Sequence, residues 1–269
     1  MLAGCGKPEN TPAPVAPSVV TYERGRMSVP AVAGSPSRNF SVPSPAEKAV
    51  ARQLCDQLKQ NLPVNRVQEL LSDARTLESP ALLDVASQVL THTDPEARIL
   101  GLTLVEGFDS PDIVSLVNRA MKDANDDVRI EAMEVAQHVT DASVYPLLLA
   151  AMEDSNLSVR QLALQTATSR PDEIKSQAIV RAATSTFEDM ANAGLAHLEA
   201  RPSKMSISLA MRALDHTHQS VRQQAHELLF LTTHQSFRSH ADAQAWWTRN
   251  QDAFDEDLVI IDPERFIRR

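Results

Sequence analysis

A chain of 269 residues with only 7 glycines, 4% aromatic residues and a formal net charge of −9 lacks what turns and strands need. Past residue 45 it carries 22 basic against 33 acidic side chains. Affinity for a phosphate backbone comes from Lys and Arg, so nucleic acid is excluded as the expected partner, and no run approaches the ~20 apolar residues of a membrane-spanning helix.

At the amino terminus, Leu2-Ala3-Gly4-Cys5 resembles a bacterial lipobox, with the departure that only Met1 stands before Leu2. The resemblance implies that Cys5 carries a lipid, and that the protein sits on the periplasmic side of the cell envelope, its only membrane contact being that lipid. A cytoplasmic location is the alternative if so short a motif matches by chance. From Gly6 to Pro45 follow eight prolines and scattered serines without apolar periodicity. Such a segment buries too little surface to offset its ordering entropy, so residues 1–44 are expected to form a disordered tether. The second cysteine, Cys55, is expected inside a helix as a small core residue.

Ser44-Pro45-Ala46-Glu47 has the residues of a capping box with proline at the first helical position, predicting a helix from 45 to about 61. Asn65 with Gln68 predicts the start of a second helix, running to about 76. A 31-residue period then takes over. Arg98, Arg129, Arg160 and Arg222 are spaced by 31 or twice 31, with Ala191 in the intervening position. Three residues after each stand Gly101, Ala132, Ala163, Gly194 and Ala225; one before stand Ala97, Val128, Val159, Met190 and Val221. Columns −1, +3, +4 and +7 share one face of a helix, which is predicted to be buried. A partner helix begins upstream near Pro80, Pro111, Ala142, Glu173 and Lys204. Six helical hairpins result, at 45–77, 80–108, 111–140, 142–171, 173–202 and 204–234, each a helix A followed by a helix B. A hairpin cannot bury its apolar face alone, so the units must stack. The expected fold is an all-α solenoid over 45–234.

The segments Asp123-Ala-Asn-Asp-Asp-Val-Arg129 and Asp154-Ser-Asn-Leu-Ser-Val-Arg160 resemble HEAT repeats, in the short form first noted in phycobilin lyases. The resemblance implies a ladder of hydrogen-bonded Asp and Arg side chains along the stack, drawing on Arg98, Asp123, Arg129, Asp154, Arg160 and Arg222. Asp215 stands one residue too far from Arg222, and Ser185 with Ala191 replaces the pair in the 173–202 unit, so an interruption and a local bend are expected there. The resemblance also implies B helices on the partner-binding side. Columns +2 and +5, which carry Glu131, Glu134, Gln165, Gln224 and Glu227, are therefore the candidate binding stripe, on a face expected to be exposed. A bilin-type tetrapyrrole lyase or chaperone is the alternative by analogy with the repeat family.

Six of the eleven aromatics, Phe230, Phe237, Trp246, Trp247, Phe254 and Phe266, fall in the last forty residues. Within residues 235–269, a helix over 241–250 carries Trp246 and Trp247 and is expected to cap the apolar end of the stack, and Asp255 to Pro263 is an apolar run between acids. No GxSxG, P-loop, GxGxxG, HExxH or CxxC motif occurs. His216, His218, His226 and His234 form the densest histidine group, read as polar turn and helix-end residues ahead of metal ligands. The sequence thus predicts a non-catalytic scaffold that binds another protein, with no catalytic, cofactor or metal residues.

Overall fold

The structure, a computed structural model, describes residues 41–262. Cys5, the tether up to residue 40, Pro263 and Phe266 lie outside these residues. Within them, thirteen α-helices follow one another with no strand. Twelve pair as α1 (Pro45–Leu58) with α2 (Val64–Ala74), α3 (Ala81–Val89) with α4 (Pro95–Thr103), and α5 (Asp112–Ala120) with α6 (Asp126–His138). Then α7 (Tyr145–Ala151) pairs with α8 (Leu157–Thr168), α9 (Asp172–Ala183) with α10 (Glu188–Ala200), and α11 (Lys204–Ala213) with α12 (Gln219–Thr233). The last helix is α13 (His240–Asn250).

The first helix is opened by the Ser44 capping box: the Glu47 amide donates to Ser44 Oγ at 3.1 Å, and the Ser44 amide to Glu47 Oε2 at 2.8 Å. It ends at Leu58 rather than Asn61. The second begins at Val64, with Pro63 in the cap position, instead of being capped by Asn65. Pro63 has no side-chain acceptor, and its backbone carbonyl alone takes the Arg66 and Val67 amides, at 2.9 and 3.1 Å.

B helices stack in sequence, α2 on α4, α4 on α6, α6 on α8, and α10 on α12. Every residue of columns −1, +3 and +7 is buried, as are Leu102, Met133, Leu164 and Leu195 at +4. These columns face both the A helix of their own unit and the neighbouring B helices. The core is divided into two hydrophobic clusters that meet inside the α9–α10 hairpin, with Met190 in the first and Ala191 in the second. That is the unit in which the sequence drops its arginine.

Closure of this hairpin depends on Gly194. A Cβ there would lie 2.2 Å from the Ala183 amide nitrogen and 2.6 Å from its Cα, so α10 rests directly on the backbone of α9. At Gly101 the nearest atoms are the Val89 side chain at 3.0 Å, which can shift. Gly194→Ala gains about 1 kcal/mol of helix propensity but forces the two backbones apart, at a cost of about 3 kcal/mol. Thermal unfolding followed by circular dichroism should show a clear loss of stability for Gly194→Ala and a much smaller change for Gly101→Ala. Equal effects would contradict the contact.

Candidate functional site

The anchor arginines sit at the start of each B helix, facing the following unit. Arg98 donates from Nε and Nη2 to both carboxylate oxygens of Asp123, each at 2.7 Å. Arg129 does the same to Asp154, at 2.9 and 3.0 Å, and Arg160 to Asp189, at 3.0 and 2.8 Å. Each is a two-pronged, charge-assisted contact between consecutive units. The six-residue spacing read from the sequence has a different meaning. Nη1 of Arg129 donates to the backbone carbonyl of Asp123, and that of Arg160 to the carbonyl of Asp154, both at 2.8 Å. One guanidinium therefore ties its own turn to the carboxylate of the next.

The turn position six residues before each anchor recurs as His92, Asp123, Asp154, Ser185 and His216. In all five the side chain accepts the backbone N–H two residues on, for example Asn125 on Asp123 at 2.9 Å and Asp94 on His92 Nδ1 at 3.0 Å. What changes is the link back to the preceding unit. Where that unit supplies Arg98 or Arg129, the residue is aspartate. Where it supplies Val67 or Ala191, the residue is histidine. With Nδ1 accepting, Nε2 of a neutral ring carries the proton; Nε2 of His92 lies 2.8 Å from the Leu62 carbonyl and that of His216 3.0 Å from the Ser185 carbonyl. The α9–α10 unit departs again, since Ser185 has no carboxylate. Arg160 reaches one turn further, to Asp189 on α10, and lies 4.0 Å over the Phe187 ring. The ladder thus bypasses Ser185 by way of Asp189 and stops at Ala191. Asp215 is not its last rung, because its carboxylate meets His240 Nδ1 on α13 at 2.9 Å.

Burial raises the pKa of Asp123. The hydrogen bonds from Arg98 and the Asn125 amide, with attraction to Arg98 and Arg129, outweigh that and hold it below the usual carboxylate value. The hydrogen bond to Asp154 likewise raises that of Arg129. Side chains of Arg129 and Asp154 are only 9% and 11% exposed, so a lone survivor would be a poorly solvated charge.

The candidate binding stripe is divided by its two columns. At +5, Gln165 and Glu227 are exposed and Glu134 is half-buried; at +2, Gln224 is half-buried and Glu131 is only 7% exposed. The exposure expected for Glu131 is therefore corrected. With α4 and α8 packed on either side of α6, column +2 turns into the crevice between B helices while +5 stands out from it. His216, His218, His226 and His234 are not gathered. His216 is held by Ser185, His218 lies 3.3 Å from Glu188, His234 packs edge-on to Phe230, and His226 faces outward. Among the described residues no three His, Cys, Asp or Glu side chains converge as a metal site. Cys55 is half-buried against the core, and burial pushes its thiol up.

Trp246, Trp247, Phe237 and Phe254 are buried together in the second cluster, and α13 packs against α11. After α13, Phe254 and Ile260 form an antiparallel bridge, which leaves Val259, Ile260 and Ile261 exposed.

Residues 79–168 match the family model of HEAT repeats, which is a third of the chain. Among solved structures, the TOG domain of human Cep104 is similar at 18% identity and a TM-score of 0.33, over 75% of this chain and 87% of that one. No curated protein matches the sequence.

Removing one partner of the Arg129–Asp154 pair should cost about 3 kcal/mol, because the other charge is left in a crevice. Chemical denaturation of Arg129→Gln tests this; a loss under about 0.5 kcal/mol, as for an exposed pair, would contradict it. The depressed Asp123 value carries its own sign. Its stabilisation is complete above the unfolded carboxylate pKa, near 4, and disappears as pH falls through the lower folded value. Asp123→Asn should therefore be less stable than the parent chain at pH 7, with the difference shrinking under acid. A constant difference down to pH 2 would exclude the linkage.

Proposed function

We propose that the solenoid is a non-catalytic scaffold that binds another protein along its B helices, and that a lipid on Cys5 holds it to the bacterial cell envelope. The observation supporting the binding surface is the division of the stripe. At +2 Glu131 is buried and Gln224 half-buried, shaping the wall between helices, while Gln165 and Glu227 at +5 are exposed, Glu227 accepting from Gln223 on its own helix. Buried columns and ladder arginines are committed to holding the stack, and changing them would cost stability. The exposed column carries no such duty, so its composition is open to selection for a partner. Amides and carboxylates there suit a partner with basic or amide-rich loops.

The anchor rests on the Leu2-Ala3-Gly4-Cys5 motif and the proline-rich segment after it.

Two separate measurements test the two halves. Affinity purification from native membranes should recover a stable partner with the parent chain, and lose it with Gln165→Arg combined with Glu227→Arg while the melting temperature is retained. Recovery unchanged by that pair of substitutions would move the binding surface elsewhere, and recovery of nothing would sink the scaffold reading. For the anchor, detergent-phase partitioning of the protein expressed with its native upstream sequence should be lost in Cys5→Ala. Partitioning into the aqueous phase for both would remove the lipid.

A further inference from the structure

In α4, α6, α8 and α10 the residue four past the anchor position, Leu102, Met133, Leu164 or Leu195, is apolar and buried. Each of these four helices is followed by another B helix that packs against it. In α12 the same position is His226, which is exposed. One turn further along that face stands Phe230, 52% exposed, with Leu231 beside it at 56%. Earlier units have Glu106, Gln137, Thr168 and Glu199 where this one has Phe230. The terminal helix α13 does not close this end of the B layer, because it packs against α11 in the A layer, and no B helix follows α12 among the described residues.

The anchor at this end is Arg222. Its Nη1 donates to the His216 and Thr217 carbonyls at 2.7 and 2.8 Å, the same backbone clamp that Arg98 makes with the His92 and Thr93 carbonyls at 2.9 and 3.0 Å. In Arg98, Arg129 and Arg160 the opposite edge, Nε and Nη2, is taken by a carboxylate of the following unit. Arg222 has no carboxylate partner among the described residues. The molecule thus holds three filled copies of an arrangement and, among the described residues, one clamped but unpaired copy, on the helix that exposes Phe230 at a position polar residues occupy in other units.

We propose that the exposed face of α12 docks a helix of a partner protein, one that places an acidic side chain ahead of its first turn against Arg222 and apolar side chains against His226 and Phe230. The partner helix continues the B layer by one member, using the contact that already joins α4 to α6 and α6 to α8. Charge selects the acidic end, since the pairing edge of a guanidinium matches a carboxylate in two-pronged geometry. Phe230 supplies the apolar anchor that a helix docking in this way needs. This inference rests on the scaffold reading but assigns a different surface from the Gln165 and Glu227 column.

The chain contains a helix of the required kind. Residues 154–169 comprise Asp154 and the whole of α8, which grips Arg129 and packs on α6. A helix-stapled, fluorescein-labelled peptide of this sequence, titrated with the full chain and read by fluorescence anisotropy, is the probe. Binding in the micromolar range is expected. It should weaken about tenfold when Asp154 in the peptide is replaced by Asn, and by a similar factor in the Arg222→Gln chain. Phe230→Asp, at an exposed position that leaves the core intact, should abolish it. Absence of binding, or binding indifferent to Arg222→Gln and Phe230→Asp, overturns the proposal. Binding lost through Gln165→Arg and retained in Arg222→Gln would overturn the end-face assignment while leaving the scaffold reading in place. Sedimentation of the parent chain as a dimer that Phe230→Asp dissociates would give the face to a second copy and overturn the partner-helix assignment.

Discussion

A guanidinium held between the carbonyl of its own turn and the carboxylate of the next turn is the constraint around which the stack is organised. The hydrophobic effect itself is non-directional and rewards buried area ahead of orientation. A two-pronged bond between planar groups is directional. Arg98, Arg129 and Arg160 each fix one unit against the following one. Removing these charges from water offsets much of what their attraction gives, so their main contribution is register, and the hydrophobic columns supply the bulk of the stability.

Where the arginine is missing, the molecule substitutes a weaker, neutral link. His92 follows Val67 and His216 follows Ala191, and in each the ring sits within hydrogen-bond reach of a carbonyl of the preceding unit. The second of these junctions coincides with several other changes. The hydrophobic core divides there, α10 lies on α9 through Gly194, and the side-chain caps supplied by Asp94, Asn125 and Asn156 give way to Phe187 and His218, which provide none. The first three ladder units and the last two are thus built on different local chemistry. The proposed scaffold role would give such a molecule two surfaces, a lateral one at the exposed +5 residues of the B helices and an end one at α12, after which no further B helix follows among the described residues.

Much of this was legible in the sequence because periodicity reports burial directly. Tiny residues at Gly101, Ala132, Ala163, Gly194 and Ala225 announce close helix contacts, and Ser44 with Glu47 announces the first helix. Direction was harder to read. Asp123 and Arg129 are six residues apart and look like a pair, yet the carboxylate of Asp123 bonds Arg98 and Arg129 takes only its carbonyl. Spacing along one chain does not say which neighbour a side chain faces. Asp189 was missed as a rung because it lies on the helix instead of in the turn. Glu131 was assigned to an open face because helical angle alone ignores the flanking B helices. The open end of α12 did leave a trace, namely His226 in a column of Leu and Met followed by Phe230 in a polar column.

Double-mutant cycles on two pairs that share Asp154 separate the register account from a local one most directly. The cycle of Arg129→Gln with Asp154→Asn, measured by chemical denaturation, should give a coupling of about 2 kcal/mol between units. The cycle of Arg160→Gln with Asp154→Asn should give a clearly smaller coupling, since Arg160 bonds only the backbone of that residue and otherwise acts on its carboxylate through space. Equal couplings, or the larger one within the unit, would contradict the claim that these arginines register one hairpin against the next.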